Sequence, residues 1–341
     1  MKKVAVVILN YNGRKMLEEF LPSLLRHTSE HLAEVIVADN ASTDDSVEFM
    51  RANYPSIRLI LNETNGGFAT GYNLALKQVE AEYFVLLNSD IEVTPDWIRP
   101  VVELMDSDAT IAACQPKILS YHHKDEFEYA GASGGFIDRF GYPFCRGRIF
   151  QHLEKDEGQY DSPMEVFWAT GACMFVRSDI FLSQGGLDES FFAHMEEIDF
   201  CWRIKNAGYK VYCCPQSKVY HIGGGTLPKN SPRKTFLNFR NNLSLLLKNL
   251  PSGHVFPVIF LRIFLDWVAA LKFLFEGGWA DFIAVFKAHF AFYGRIGMLR
   301  KKRKTNEHHR VSCIYRRGIV VDSMLFGMNA FSSLKKNSFS K

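Results

Sequence analysis

The sequence predicts an α/β protein built on a mostly parallel sheet of the nucleotide-binding type, and three observations carry that prediction. Tyr83 to Leu87 is an unbroken apolar run that stops at Asn88-Ser89-Asp90. A run of this kind, bounded by turn-formers, is a strand buried on both faces, with Asp90 emerging at its carboxyl end. Two β-then-α units stand in succession before it, the arrangement that parallel sheets require. The chain also divides by charge. Residues 1–225 carry 20 Lys+Arg against 32 Asp+Glu, and residues 226–341 carry 20 against 5, an acidic body with a basic end suited to an anionic surface.

At 341 residues, 47% hydrophobic and 23% charged, the chain has the composition of a globular protein with a substantial core, which excludes a disordered one. Its seven cysteines (Cys114, Cys145, Cys173, Cys201, Cys213, Cys214 and Cys313) show no paired zinc-type spacing. Their odd number suits free thiols in a reducing cytosol. The apolar stretch Val4 to Leu9 is too short for a signal peptide and reads as a first buried strand.

The elements follow in order. Lys3 to Leu9 is a strand and Asn12-Gly13 a turn; Leu17, Phe20, Leu21, Leu24 and Leu25 then recur at helical spacing through Lys15 to His27. Glu34 to Ala38 is a second strand, and the polar run from Asp39 to Ser46 caps a helix through Val47 to Asn53. Ile57 to Leu61 is a third strand, followed by Asn65-Gly66-Gly67-Phe68-Ala69-Thr70-Gly71-Tyr72-Asn73 and a helix through Leu74 to Val79. Thr94-Pro95-Asp96-Trp97 opens another helix, and Ile111 to Ile118 is a further strand. Ser120 to Pro163 has little periodicity and reads as a loop-rich insertion or acceptor-side lid. Phe167 to Val176 resumes strand character, Glu196 to Arg203 is an acidic helix stopped by Gly208, and Tyr209 to Cys213 is a last strand.

Four places carry chemistry. Asp90 at a strand's carboxyl end suits a hard divalent cation, Mg²⁺ or Mn²⁺, which shares its shell with water and phosphates; the competing reading is an Asx turn. Glycines before a helix let backbone N–H groups approach a phosphate or sugar, although the spacing does not fit the three-glycine dinucleotide fingerprint and a plain turn competes. Glu196, Asp199 and Arg203 share one helix face, so Asp199 can pair with Arg203. Met195 and two aromatics lead into these acids, suggesting a carboxylate at a pocket wall rather than a solvated face. His221 stands before Gly223-Gly224-Gly225, with a structural histidine as the alternative.

Five stretches in this order resemble the family 2 glycosyltransferases of GT-A type, especially the bacterial branch with rhamnosyltransferases and other surface-polysaccharide enzymes. They are Val7-Ile8-Leu9-Asn10-Tyr11-Asn12, Val37-Ala38-Asp39-Asn40-Ala41-Ser42, Asn65-Gly66-Gly67-Phe68-Ala69, Leu87-Asn88-Ser89-Asp90, and Phe191 to Arg203 followed by His221. The resemblance covers residues 3–250. It implies a GT-A nucleotide-diphospho-sugar transferase fold, a Rossmann-like mixed sheet flanked by helices. It further implies that Asn10, Asp39, Asn65, Gly67, Phe68, Asn73, Asn88, Ser89 and Asp90 form the nucleotide-sugar site, with Asp39 on the nucleobase. Asp90 and His221 would hold Mg²⁺ or Mn²⁺. Asn88 departs from the first position of the family's Asp-x-Asp motif, removing one negative charge near the diphosphate. Glu197 falls where the family places its catalytic base, with Glu196 a competitor. Gly171, Ala172, Asp199 and Arg203 would lie beside the donor sugar or acceptor.

Past a catalytic domain of residues 1–250, Val255 to Phe275 is apolar except for Arg262, Asp266 and Lys272, whose charges share an arc of about 120°. An interfacial helix fits better than a membrane span, which would bury three charges. A second apolar segment, Trp279 to Met298, leads into Arg300-Lys301-Lys302-Arg303-Lys304, suited to anionic headgroups. Residues 251–304 thus read as a basic, helical membrane-associating segment, with a pair of helices packed on the catalytic domain and a solvated end as the alternative, and 305–341 as a weakly patterned tail. No nucleic-acid-binding motif is present. The sequence therefore predicts a metal-dependent, inverting glycosyltransferase, peripheral on the inner face of the plasma membrane. Its donor is a nucleotide-diphospho-sugar, with dTDP-rhamnose the specific choice from that branch, and its acceptor is a growing or polyprenyl-linked glycan. A non-catalytic membrane scaffold and a sugar nucleotidyltransferase are the competing readings.

Overall fold

The computed structural model describes residues 2–223, 231–304 and 309–341. Its main sheet begins with β1 (Val4–Asn10), α1 (Arg14–His27), β2 (Ala33–Asp39), α2 (Ser46–Asn53), β3 (Arg58–Leu61), α3 (Gly67–Leu76) and β4 (Tyr83–Asn88). These strands are parallel, in the order β3-β2-β1-β4. Register sets the site: Asn10 lies opposite Asp39, and Leu9 opposite Asn88, so three polar residues end side by side at the carboxyl edge. Tyr83, Val85 and Leu87 enter the apolar layer on one face of β4, Phe84 and Leu86 that on the other. Double-sided burial is why the run carries no polar alternation.

The chain continues through β5 (Ile91–Val93), α4 (Arg99–Ser107) and β6 (Ile111–Ser120). Helix α4 starts later than Thr94-Pro95 suggested, because Asp96 takes a left-handed turn at φ 61°. The insertion is more ordered than expected. It forms β7 (Gly135–Asp138), β8 (Pro143–Cys145), β9 (Arg148–Ile149) and β10 (His152–Leu153), strands too short to show a pattern. Then come β11 (Met164–Val166), β12 (Cys173–Arg177), α5 (Ser178–Ser183), α6 (Glu196–Asn206) and β13 (Lys210–His221). Strand β12 runs antiparallel to β4 with Cys173 opposite Leu87, which delivers Gly171 and Ala172 to the same edge. Strand β13 is longer than Tyr209 to Cys213, crossing an irregularity between Cys214 and Lys218 to place His221 opposite Ile91, next to Asp90. Gly224, Gly225 and Thr226 of the glycine run lie outside the described residues.

Three long helices follow: α7 (Pro232–Asn249), α8 (Ser252–Phe275) and α9 (Trp279–Lys304). On α8 two of the three charges of the expected polar arc turn inward, while Lys272 stays exposed. Arg262 (4% exposed) and Asp266 (0%) face the protein, where Arg262 donates to Asp266 at 2.7 Å, to Asn242 Oδ1 at 2.6 Å and to Phe140 O at 3.1 Å. Phe256 (79%), Phe260 (65%) and Phe264 (59%) face outward. The basic run is also partly spent on the body: Lys302 pairs with Asp188, and Arg303 donates to Leu247 O at 2.9 Å. The tail is not patternless either. Its β14 (Ile314–Tyr315) adds to β7 in parallel, completing a second sheet ordered β10-β9-β8-β7-β14 over a cluster of Phe136, Phe144, Tyr315, Phe331 and Phe339, and α10 (Ile319–Phe326) follows it. All seven cysteines are unpaired and buried.

Candidate active site

At the end of β4, Asp90 Oδ1 lies 3.2 Å from His221 Nε2, and Asn88 Nδ2 lies 3.5 Å from the same nitrogen. Burial opposes the charge on Asp90, but the imidazole outweighs it and holds the carboxyl below its usual range. Burial likewise opposes charge on His221, yet Asp90 and Glu128 push it up to about 10. Glu128 was not among the candidates. It comes from the insertion, pinned by its N–H to Ile118 O at 3.1 Å, and its Oε2 lies 3.4 Å from His221 Nδ1. In the sequence it sits in Asp125-Glu126-Phe127-Glu128, which reads as loop charge. Only the pairing of β13 with β6 brings it to His221.

Along the same edge, Asn10 Nδ2 donates to Asp39 Oδ1 at 3.0 Å, and Ser42 N donates to Asp39 Oδ2 at 2.8 Å. Asp39 is thereby oriented, with both oxygens held. Asn10 Oδ1 is buried without a partner. A Cβ on Gly13 would stand 2.4 Å from that oxygen and 3.5 Å from Ser89 Oγ, so Gly13 lets Asn10 and Ser89 approach each other. A chain of amides extends the edge: Asn62 donates to Asn40 at 3.1 Å, Asn40 to Asn65 at 2.9 Å, and Gly67 N to Asn65 Oδ1 at 3.0 Å. Asn40 and Asn62 are links that the motif reading passed over. Phe68 lies against Gly171, where a Cβ would come within 2.8 Å of its ring tip, and Ala172 O accepts from Asn88 N at 2.9 Å.

Asn73 is a correction. Its Nδ2 donates to Leu187 O at 2.8 Å and to Glu189 Oε1 at 3.1 Å, and its Oδ1 accepts from Leu187 N at 2.9 Å, so it clips α3 to the segment before α6 and both its N–H groups are spent there. Asp199 is a second. Its side chain is fully enclosed, accepting from Arg203 Nε at 2.9 Å, Lys248 at 2.9 Å and Asn249 at 2.8 Å. The predicted Asp199 to Arg203 pair is present, but it lies in the core. Arg203 also donates to Gln184 O and Gly186 O, both at 2.6 Å, so Asp199 has no access to a sugar and three of the Arg203 donors are spent on the protein.

Glu196 and Glu197 open α6. Each leaves one buried carboxylate oxygen without a hydrogen-bond partner. Burial pushes Glu197 above the ordinary carboxyl range; burial and then the neighbouring Glu197 push Glu196 further. A buried carboxyl so shifted is able to accept a proton near neutrality. The segment before it is tied to the glycine-rich turn: Phe68 N donates to Phe192 O at 3.1 Å, and Gly67, at φ +84°, has no room for a Cβ, which would meet Phe192 O at 2.6 Å. The two motifs thus share one wall.

For a divalent cation, the donor set fits. Asp90 and His221 Nε2 offer two ligands at the strand edge once the proton that Asp90 and Glu128 hold on the ring is displaced. That suits an ion which takes the rest of its shell from diphosphate and water.

A mixed β-α sheet whose carboxyl edge gathers an amide chain and a carboxylate–imidazole pair, with an acidic helix tied to its glycine-rich turn, defines a glycosyltransferase of GT-A type. The chain belongs to glycosyl transferase family 2, whose family model matches residues 5–181. It is 28% identical over 234 residues to an N-acetylglucosaminyl-diphospho-decaprenol L-rhamnosyltransferase of Mycobacterium tuberculosis, covering 63% of this chain and 75% of the relative. Among solved structures it is similar to GalNAc-T7 with UDP, GalNAc and Mn²⁺ (TM-score 0.56, 17% identity, 74% of this chain and 49% of that one). It is also similar to the mannosyltransferase PcManGT of Pyrobaculum calidifontis with GDP-Man and Mn²⁺ (TM-score 0.52, 15% identity, 89% and 84%). At these identities the structures establish the fold.

Proposed function

We propose that the protein transfers a sugar, with inversion, from a nucleoside-diphosphate donor to a polyprenyl-linked or growing cell-surface glycan, with dTDP-rhamnose as donor. The observation that carries the proposal is the shared wall of the site. A chain of contacts runs between the two acidic places: the segment before Glu196 accepts from Phe68 N through Phe192 O, the Phe68 ring lies against Gly171, and Ala172 O accepts from Asn88 N, two residues before Asp90. The mycobacterial relative supports the choice of sugar and of a polyprenyl-diphosphate acceptor.

Asp39, with Asn10 and Ser42 orienting it, accepts from the nucleobase, and the amide chain ending at Asn65 holds the turn that faces the diphosphate. Asp90 and His221 would hold Mg²⁺ or Mn²⁺. When bound, such a cation neutralises the charge that develops on the departing diphosphate. Glu197 takes the proton from the acceptor hydroxyl as that oxygen attacks the anomeric carbon. The new C–O bond forms as the bond to the diphosphate breaks, and a single displacement inverts the centre. Gly171, lacking a Cβ, lets the Phe68 ring pack against the backbone there, and that ring would border the donor sugar or acceptor.

The site of action is the inner face of the plasma membrane. Supporting this, α8 buries Arg262 and Asp266 against the protein and turns an aromatic stripe outward, with Lys272 its exposed charge. One described helix, α9, is long and apolar enough to cross a membrane by length and composition. It instead packs Phe292 and Leu299 on Leu243 and Leu247 of α7.

The test is turnover of sugar nucleotides with a polyprenyl-diphosphate-linked acceptor, followed by NMR of the product. Release of nucleoside diphosphate with inverted anomeric configuration is the expected result. Release of pyrophosphate, or retention of configuration, overturns it.

A further inference from the structure

Helix α7 grips the backbone that leads into the acidic pair. Asn241 is fully buried, and its amide nitrogen lies 3.0 Å from Phe191 O, 2.8 Å from Ala193 O and 2.8 Å from His194 O. Its oxygen is held in turn by Arg240, whose Nε and Nη2 donate at 2.9 and 2.7 Å, while Nη2 also reaches Phe191 O at 2.9 Å. Carbonyls on one side and a guanidinium on the other leave the amide a single orientation.

The gripped segment is strained. Phe192, His194 and Met195 take φ of 68°, 67° and 74°, the left-handed region that L residues avoid. Each such residue is unfavourable on its own and persists only where its surroundings over-determine it. Three carbonyls held by one amide supply that constraint. What the segment delivers is Glu196 and Glu197, each with a buried oxygen that has no partner. Among the described residues no side-chain hydrogen bond fixes those oxygens, so the backbone that carries them must.

We propose that Asn241, backed by Arg240, is a positioning residue that holds residues 191–195 in the conformation aiming Glu197 at the acceptor hydroxyl; this rests on Glu197 being the base. The side chain touches no reacting atom. Its effect passes through the loop.

The test compares Asn241→Asp, which keeps the shape but removes the donors, with Glu197→Gln and with the double variant, in full-length protein. Expected for Asn241→Asp is a kcat loss of about 10²-fold, the scale of a 1 Å misplacement. The donor KM should stay within about threefold, since uniform binding is untouched. The acidic limb of the pH–kcat profile should move, and in the Glu197→Gln background the second change should add little. Equal losses in both backgrounds, or an unmoved limb, would show a merely structural role and overturn the proposal. Full activity in Glu197→Gln would instead remove the base assignment on which it rests. If Asn241→Asp does not fold, Arg240→Lys, which loses the paired bonds to the Asn241 oxygen, is read by the same criteria.

Discussion

His221 Nε2 lies 3.2 Å from Asp90 Oδ1, and the two reach this contact from strands whose pairing sets His221 opposite Ile91, the residue after Asp90. Sheet register, not a flexible loop, fixes the pair. Asp90→Ala should therefore abolish metal-dependent donor binding while leaving the fold intact. Thermal shifts with UDP-, dTDP- and GDP-sugars, with and without Mn²⁺, measure this. In the wild type one nucleotide class should raise the melting temperature in a Mn²⁺-dependent way, and chelation should cancel the gain. A metal-dependent shift that survives in Asp90→Ala would remove Asp90 from the site.

Glu128 faces the far nitrogen of the same imidazole at 3.4 Å. A carboxylate behind a metal-binding histidine fixes the ring and raises its basicity, and losing such a partner costs about 10- to 100-fold in metal affinity. Glu128→Gln should show that loss in a Mn²⁺ titration followed by electron paramagnetic resonance, at a little-changed melting temperature. Unchanged affinity would leave Glu128 a structural neighbour only. Gly223 lies against the same carboxylate, where a Cβ would stand 2.6 Å from Glu128 Oε1, so that glycine permits the approach.

The pH dependence follows from Glu197. Burial raises its carboxyl above the ordinary range, and a base must be ionised to work, so kcat should fall as pH drops through that raised value. The linkage to stability has the opposite direction. The folded state holds this proton at pH values where the unfolded chain has released it, so stability falls as pH rises from the usual carboxyl range through the raised one. Glu197→Gln should flatten both dependences and lower kcat by about 10²- to 10⁴-fold. An acidic limb that persists unchanged in Glu197→Gln would assign it to another group, with Glu196 first in line.

The parts of the site legible in the sequence are those that sit at the ends of regular strands. The position of Asp90 at a strand end was readable because Tyr83 to Leu87 is apolar on both faces, and that of Asp39 because the second strand ends there. The contacts of Glu128 and Asn241 were not readable, because each meets a partner about 50 or more positions away and nothing local marks the pairing. Asn73 and Asp199 misled for a related reason. An amide and a carboxylate next to motif residues have the right chemistry for a ligand, but Leu187 and Lys248, supplied by distant segments, use up their hydrogen bonds. On α8 the periodicity of Arg262 and Asp266 was correct, and only the direction of the polar face was missing. That depends on Asn242 and His289, from α7 and α9, waiting to receive the charges.

The outward face of that helix makes the membrane proposal testable. Deleting the segment after residue 250 would also remove β14 from its sheet, so point changes are the cleaner probe. Phe260 and Phe264 are one turn apart on the outward stripe, 65% and 59% exposed, and neither is in the buried core. Glutamate at both should leave folding and donor binding unchanged while removing apolar contact area and placing two negative charges against anionic headgroups. Each aromatic side chain withdrawn from a fully apolar environment forfeits roughly 1.5–3 kcal/mol, so vesicle binding should weaken by at least about tenfold. Co-sedimentation with vesicles containing phosphatidylglycerol measures it, with neutral vesicles to separate the apolar from the charge contribution. Wild-type binding by the double variant would mean that the stripe is not what meets the lipid. A fall in oligomer size on substitution, with no change at the vesicle, would assign the stripe to a second copy of the chain instead.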